Sequence, residues 1–166
     1  MEIARLREGD EERLRDIRLR ALAEAPSAFA STYGRERRFT ADVWASRVAG
    51  EGATFIAEDD GRPVGTVAVI PEDRPRTAHL VGMWVDPRAR GQGIARRLID
   101  AVVTWACERG MRHLELWVAE NNDGALALYE KTGFSLTGER QPLPSDPAVT
   151  EFKLARELQA DPRRPA

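Results

Sequence analysis

The sequence predicts a single α/β domain in which a mixed β-sheet is covered by helices, and three observations carry that prediction. Strand-like and helix-like segments follow one another in the order β, α, α, β, β, β, α, β, α, β, β. The 166 residues suit one domain, which would bury roughly 70% of its unfolded surface. No repeat and no long linker interrupts the pattern. The domain is therefore expected over residues 1–159, with a disordered tail, ADPRRPA, over 160–166.

The elements follow in order. MEIARL reads as a short strand, and Gly9-Asp10 opens a helix with Asp10 as its N-cap. Leu14, Ile17, Ala21 and Leu22 form its core-facing stripe, and Pro26 ends it. SAFASTYGRERRF is an irregular or helical connector. Thr40 caps a second helix whose inner face carries Val43, Trp44 and Val48, with Gly50 at its end. ATFIAED and RPVGTVAVI flank Asp60-Gly61, a strong hairpin signal. After the loop PEDRPR, the strand TAHLVGMWV ends at Val85. A long helix places Ile94, Leu98, Ala101, Val102 and Trp105 at core spacing, and Gly110 stops it. RHLELWV is a strand, NNDGALALYEKTG a short helix closed by Gly133, and FSLTG a strand start. QPLPSDP reads as a proline-rich loop before the last strand, AVTEFKLA.

Composition excludes several function classes. Apolar content of 42% and charged content of 31% are ordinary for a soluble domain. A net charge of −2 gives no support to a nucleic-acid or membrane partner. No apolar run approaches the ~18 residues of a membrane span, and MEIARLREGD is too charged for a signal peptide. A cytoplasmic location follows by default. The single cysteine, Cys107, has no internal disulfide partner and no companions for a structural zinc, so it reads as helix packing. No metal is expected.

The stretch DPRARGQGIARRLID, residues 86–100, carries two glycines and four arginines where a strand turns into a helix N-terminus. Such a turn is a common phosphate site. It is not a dinucleotide fingerprint, since Arg96 occupies the position of the third glycine, and it lacks the Gly-Lys-Ser/Thr of a Walker A loop. It does satisfy R-x-x-G-x-G, through Arg88, Gly91 and Gly93. Glycines there let the backbone approach a pyrophosphate, and successive N–H groups supply donors. Arg88, Arg90, Arg96 and Arg97 add positive charge around the turn.

MWVDPRARGQGIARRLID, followed by LELWVAENNDGALALYEKTGF, resembles the GNAT acetyltransferase superfamily through Val85, Arg88, Gly91, Gly93, Asn122, Ala125, Tyr129, Gly133 and Phe134. The resemblance spans about residues 53–134. It implies a single-domain GNAT fold, with a mixed, mostly antiparallel sheet splayed into a V. It also implies acetyl-CoA as donor and a small-molecule or peptide amine as acceptor. By the same resemblance, coenzyme A contacts Met83, Trp84, Val85, Arg88, Arg90, Gly91, Gln92, Gly93, Ile94, Ala95, Arg96, Asn122 and Tyr129.

Acyl transfer from a thioester to an amine makes three demands. The amine must lose a proton, the developing oxyanion needs a fixed donor, and the leaving thiolate benefits from protonation. Tyr129 lies seven residues after Asn122, two helical turns on, so both project from one side of their helix. The resemblance makes Tyr129 the acid that protonates the sulfur, against a reading as a core tyrosine. Asn122 either contacts the pantetheine arm or caps the helix. Val85 would offer its backbone N–H to the thioester carbonyl. His79 is six residues before Val85, and with regular alternation the two share a face. A pKa near ~6.5 suits it as the base. A family bulge in that strand would spoil the parity, and a water relay to backbone groups is the competing account. His113, at a strand start, reads as a surface residue.

Acceptor contacts are expected from Phe29, Tyr33, Glu36 and Trp44, with ERQPLPSDP as a lid and Glu36 or Glu139 paired to a cationic acceptor. The predicted function is an acetyl-CoA-dependent N-acetyltransferase in which a primary amine attacks the thioester directly. A non-catalytic acyl-CoA sensor of the same fold and a protein or peptide acetyltransferase are the alternatives. A homodimer is left open.

Overall fold

The computed structural model describes residues 1–159. The predicted tail over 160–166 lies outside the described residues. Seven strands form one open sheet: β1 (Glu2–Arg5), β2 (Ala53–Asp59), β3 (Arg62–Pro71), β4 (Thr77–Val85), β5 (His113–Ala119), β6 (Ser135–Leu143) and β7 (Asp146–Glu157). Their spatial order is β1-β2-β3-β4-β5-β7-β6. Every neighbouring pair is antiparallel except β4 and β5. Five helices cover the sheet: α1 (Glu11–Glu24), α2 (Tyr33–Glu36), α3 (Ala41–Ala49), α4 (Ile94–Glu108) and α5 (Asp123–Lys131).

Alternation along the strands sorts side chains onto two faces. On one, Phe55, Val67, Val69, Leu80 and Val85 pack under Ile94, Leu98 and Val102 of α4. On the other, Ile56 and Trp84 pack under Leu14, Ile17 and Leu22 of α1 and Trp44 of α3. The apolar stripe predicted for α1 is buried along its whole length, from Leu14 through Ile17 and Ala21 to Leu22.

Several local expectations are corrected. Asp10 occupies the N-cap position of α1 without capping it; its carboxylate accepts from Arg7 N (2.9 Å) and Arg13 Nη1 (2.6 Å) instead. Thr40 likewise precedes α3 with no side-chain cap bond. QPLPSDP is not a loop. Gln141, Pro142 and Leu143 continue β6, and only Pro144 and Ser145 turn before β7. Proline is tolerated because β6 is the sheet edge and its register shifts between Pro142 and Leu143.

Two irregularities shape the centre of the sheet. β4 and β5 pair only at Thr77–His113, Ala78–Leu114 and His79–Glu115, then part. In β4, Val81 pairs with Ala68 and Trp84 with Thr66, so three steps on β4 match two on β3. That bulge contains Gly82 at φ +65°, a left-handed conformation that favours glycine. It reverses the alternation beyond Val81.

Candidate active site

The parting of β4 from β5 leaves an unpaired strand edge in the middle of the sheet. Asp86 N donates to Val64 O at 2.8 Å, so Val85, one residue earlier, turns its N–H and carbonyl toward the gap. The Val85 carbonyl is taken by Arg90 Nε (3.0 Å), whose Nη2 also reaches Glu24 Oε2 (2.9 Å). A cleft of about 520 Å³ runs along this edge, lined by Met83, Trp84, Val85, Arg90, Ala95 and Asn122. It narrows to a neck of about 80 Å³ between Leu80, Gly82, Met83, Trp117, Phe29 and Tyr129.

Gly91 (φ +79°) and Gly93 (φ +76°) both take the left-handed conformation in the turn before α4. A Cβ added to either would meet no atom within 4 Å, so the space above the turn is open. No side chain caps α4 and its first turn carries no acidic residue, which leaves its first N–H groups and its positive dipole end available to an anion. Arg88 and Arg96 are exposed beside the turn, while Arg97 reaches Met1 O at 3.4 Å. Open backbone, uncapped donors and cationic surroundings fit a pyrophosphate. Ile94 contributes a buried core side chain rather than a contact surface.

Tyr129 is 5% exposed, and its ring meets Phe134 edge-on at 5.7 Å. Burial pushes its phenol well above the ordinary range, so it stays protonated at any working pH. Its hydroxyl has no hydrogen-bond partner among the described residues. Asn122 caps α5, its Oδ1 accepting from Ala125 N at 3.2 Å, and also lines the cleft.

The bulge places His79 and Val85 on opposite faces, which corrects the shared face expected from regular alternation. His79 instead shares a face with Ile70, its cross-strand partner, and with Val81. Its Nδ1 lies 2.9 Å from Glu72 Oε1. Arg74 and His79 hold the Glu72 carboxyl below its usual range despite burial, so it accepts and His79 Nδ1 carries the proton. Neutral His79 then keeps a lone pair on Nε2. Burial lowers the histidine pKa, with Glu72 and Glu115 opposing. Glu72, His79 and Glu115 bring potential ligand atoms within 4.8 Å of one another. Arg74 already pairs with both carboxylates (2.7 and 2.5 Å) and Lys153 with Glu115 (3.0 Å), so the cluster is an ion-pair network.

The acceptor-side expectations fare unevenly. Phe29 lines the cleft and its neck. Tyr33 is 42% exposed on the surface, and Trp44 is core, packed against Phe39 at 5.7 Å. Glu36 is fully buried and bonded to Arg18 Nε (3.1 Å), Arg18 Nη2 (2.9 Å) and Arg47 Nη1 (2.9 Å), so it has no free edge for a cationic acceptor. Glu139 pairs with Lys153 (3.2 Å). The expected lid is anchored: Ser145 Oγ donates to Phe29 O at 2.5 Å. Trp84 turns its side chain to the α1 face, where Nε1 donates to Glu24 Oε2 (2.9 Å). His113 is exposed, as read.

Sequence reasoning missed Arg18 and Arg47, which line a second cavity of about 460 Å³ beneath α1 and α3. Val81 and Gly82 line both this cavity and the neck, so the two spaces meet at the bulge. A signal existed for Arg18. It lies four residues after Leu14 and three before Ala21, a charge inside an apolar stripe.

The model of the Acetyltransferase (GNAT) family matches residues 15–134. An uncharacterized N-acetyltransferase of Methanocaldococcus jannaschii is 37% identical over 89 residues, 51% of this chain and 39% of its own length. N-acetyltransferase 8 of Rattus norvegicus is 35% identical over 104 residues, 60% of this chain and 47% of its own length. The chain thus spans less than half of either relative. An acetyltransferase of the GNAT family from Streptococcus pneumoniae superposes with a TM-score of 0.78 at 20% identity, over 95% of this chain and 99% of its own, which establishes the fold. No helix among the described residues is long and apolar enough to cross a membrane.

Proposed function

Because the chain belongs to the GNAT acetyltransferase family, we propose that it transfers an acetyl group from acetyl-CoA to a primary amine that attacks the thioester directly. The observation that carries this reading is the meeting of two cavities at Val81–Gly82, one leading to the glycine turn and one to the face of α1 and α3. When bound, acetyl-CoA supplies an activated acyl carbon and a thiolate leaving group.

The chain's own residues do the rest. Gly91, Gly93 and the first N–H groups of α4 hold the pyrophosphate, with Arg88 and Arg96 adding charge. The Val85 N–H, facing the gap, stabilises negative charge developing on the acyl oxygen. His79 Nε2 takes the proton that the amine sheds, while Glu72 holds the ring in the required tautomer. As the nitrogen–carbon bond forms and the carbon–sulfur bond breaks, Tyr129 delivers its hydroxyl proton to sulfur. Screening an amine library for thiol release from acetyl-CoA tests the reaction; no acceleration by any amine would overturn it.

Gly93→Val tests the phosphate site. Valine at φ +76° is strained and its side chain would enter the open space above the turn. Calorimetry should show acetyl-CoA affinity reduced at least about tenfold, the equivalent of 1.4 kcal/mol, in a protein that still melts cooperatively. Unchanged affinity would remove the pyrophosphate from this turn.

His79 sets the acid limb. A base must be unprotonated, so kcat/KM should fall as pH drops through a value below the ordinary histidine 6.5, since burial lowers this pKa. His79→Gln should lower kcat/KM and abolish that ionisation. A variant with the wild-type rate and profile would transfer the role to a water relay.

A further inference from the structure

We infer that the acceptor carries an oxyanion, a carboxylate or phosphate, within a few bonds of the amine, and that Arg18 and Arg47 recognise it. This rests on the reading of the 460 Å³ cavity as the acceptor site.

The argument begins with Glu36. A single carboxylate, fully buried, is shared by two guanidinium groups, so the triad holds one net positive charge. One arginine suffices to neutralise a carboxylate. The second arginine, besides tying α3 to Glu36, adds a charge beyond neutrality, and both arginines line the same cavity. Their remaining donors are held in place rather than mobile. Arg18 stacks on Phe29 at 4.8 Å, and Arg47 on Phe39 and Trp44 at 5.0 and 5.2 Å. With Nε and Nη2 committed to Glu36, Arg18 turns Nη1 toward the bulge, where a Cβ on Gly82 would sit 3.3 Å from it. A preorganised guanidinium edge is a geometry suited to planar oxyanions. Glu51 at the exposed rim is the acidic residue that faces the same space.

Position determines the spacing. Arg18 Nη1 stands at the junction of the two cavities, beside the place where the amine attacks. An oxyanion bonded there is separated from the amine by a short linker. The remaining walls are mostly apolar, with Leu14, Ile70 and Val81 beside the hydroxyls of Ser46, Thr54 and Thr66, and Ile70 is left 50% exposed. They suit a compact hydrocarbon group on the same molecule.

Matched acceptor pairs test this. L-phenylalanine against L-phenylalaninamide probes a carboxylate, and O-phosphoethanolamine against ethanolamine probes a phosphate. In at least one pair the anionic member should be favoured about 10–100-fold in kcat/KM, the range for a hydrogen bond to a charged group. The pair that shows it identifies the oxyanion. Arg47→Gln leaves the Arg18–Glu36 pair intact but cancels the triad's net positive charge, so Arg18 Nη1 then belongs to a neutral pair and that ratio should collapse toward one. Ratios near one for both pairs in the wild type would overturn the inference, as would a preference that survives Arg47→Gln. If Arg47→Gln does not fold, the wild-type ratios alone decide. If no amine releases thiol, the acetyl-transfer reading has failed, and ligand-observed NMR with L-phenylalanine and O-phosphoethanolamine decides the inference separately. Binding of either that Arg47→Gln weakens would sustain an oxyanion site, and no binding of either would end it.

Discussion

Replacing Tyr129 by phenylalanine is expected to slow turnover by roughly 10²–10⁴, the usual cost of losing a general acid. The ring, its burial and its edge-on contact with Phe134 all remain. Only the hydroxyl goes, and among the described residues it bonds to nothing, so no partner is stranded by its loss. The melting temperature should therefore stay the same or rise slightly. Acetyl-CoA affinity should change little, because the proton is needed only as the carbon–sulfur bond breaks. Thioesters with more acidic thiols should suffer less. Since burial holds the Tyr129 phenol far above neutrality, its ionisation adds no alkaline limb to the wild-type profile. Steady-state kinetics with a parallel binding measurement decide the matter. A kcat within about twofold of wild type, far short of the expected loss, would make Tyr129 a packing residue.

Glu36→Leu is the substitution expected to damage stability most. Removing one partner of a buried charge network costs about 3–5 kcal/mol, here by leaving Arg18 and Arg47 facing each other without their shared carboxylate. For a domain of this size that corresponds to a melting temperature lower by roughly 6–20 °C. The effect should depend on pH in a definite direction. Burial opposes ionisation of Glu36, yet Arg18 and Arg47 outweigh it and hold the folded pKa below the ordinary 4.5. A depressed carboxylate pKa stabilises the fold above the unfolded value and loses that effect as pH falls through the folded value. The gap between wild type and Glu36→Leu should thus be full at neutral pH and shrink below about 4.5. A variant that melts within about 2 °C of wild type at pH 7, less than 1 kcal/mol, would show that the triad does not hold α1, α2 and α3 together.

The element order was legible because each segment advertises its period. The α1 stripe, the Asp60-Gly61 hairpin and the long α4 all form as read. Local chemistry sufficed for the glycine turn too, since left-handed backbone at Gly91 and Gly93 is a property of glycine itself. Reading failed where a residue's behaviour depends on a distant partner. QPLPSDP looked like a loop because its three prolines suit one, and only its place at the sheet edge let the strand continue. Glu36 looked like a surface carboxylate free to bind a cation. Arg18 and Arg47 bury it, from 18 and 11 residues away in sequence.

By itself, then, the sequence determined the fold class, the strand and helix order and the left-handed glycine turn before α4, all of which follow from short-range periodicity and backbone freedom. Only the tertiary structure decided which residues face one another across the site. The bulge at Gly82 reverses the strand alternation, turning His79 to the α1 face while the Val85 backbone faces the gap. The parting of β4 from β5 creates that gap. The sign of charge in the second cavity depends on two arginines sharing one carboxylate. Each of these is a relation between segments far apart in the chain, and a pattern confined to neighbouring residues carries no record of it.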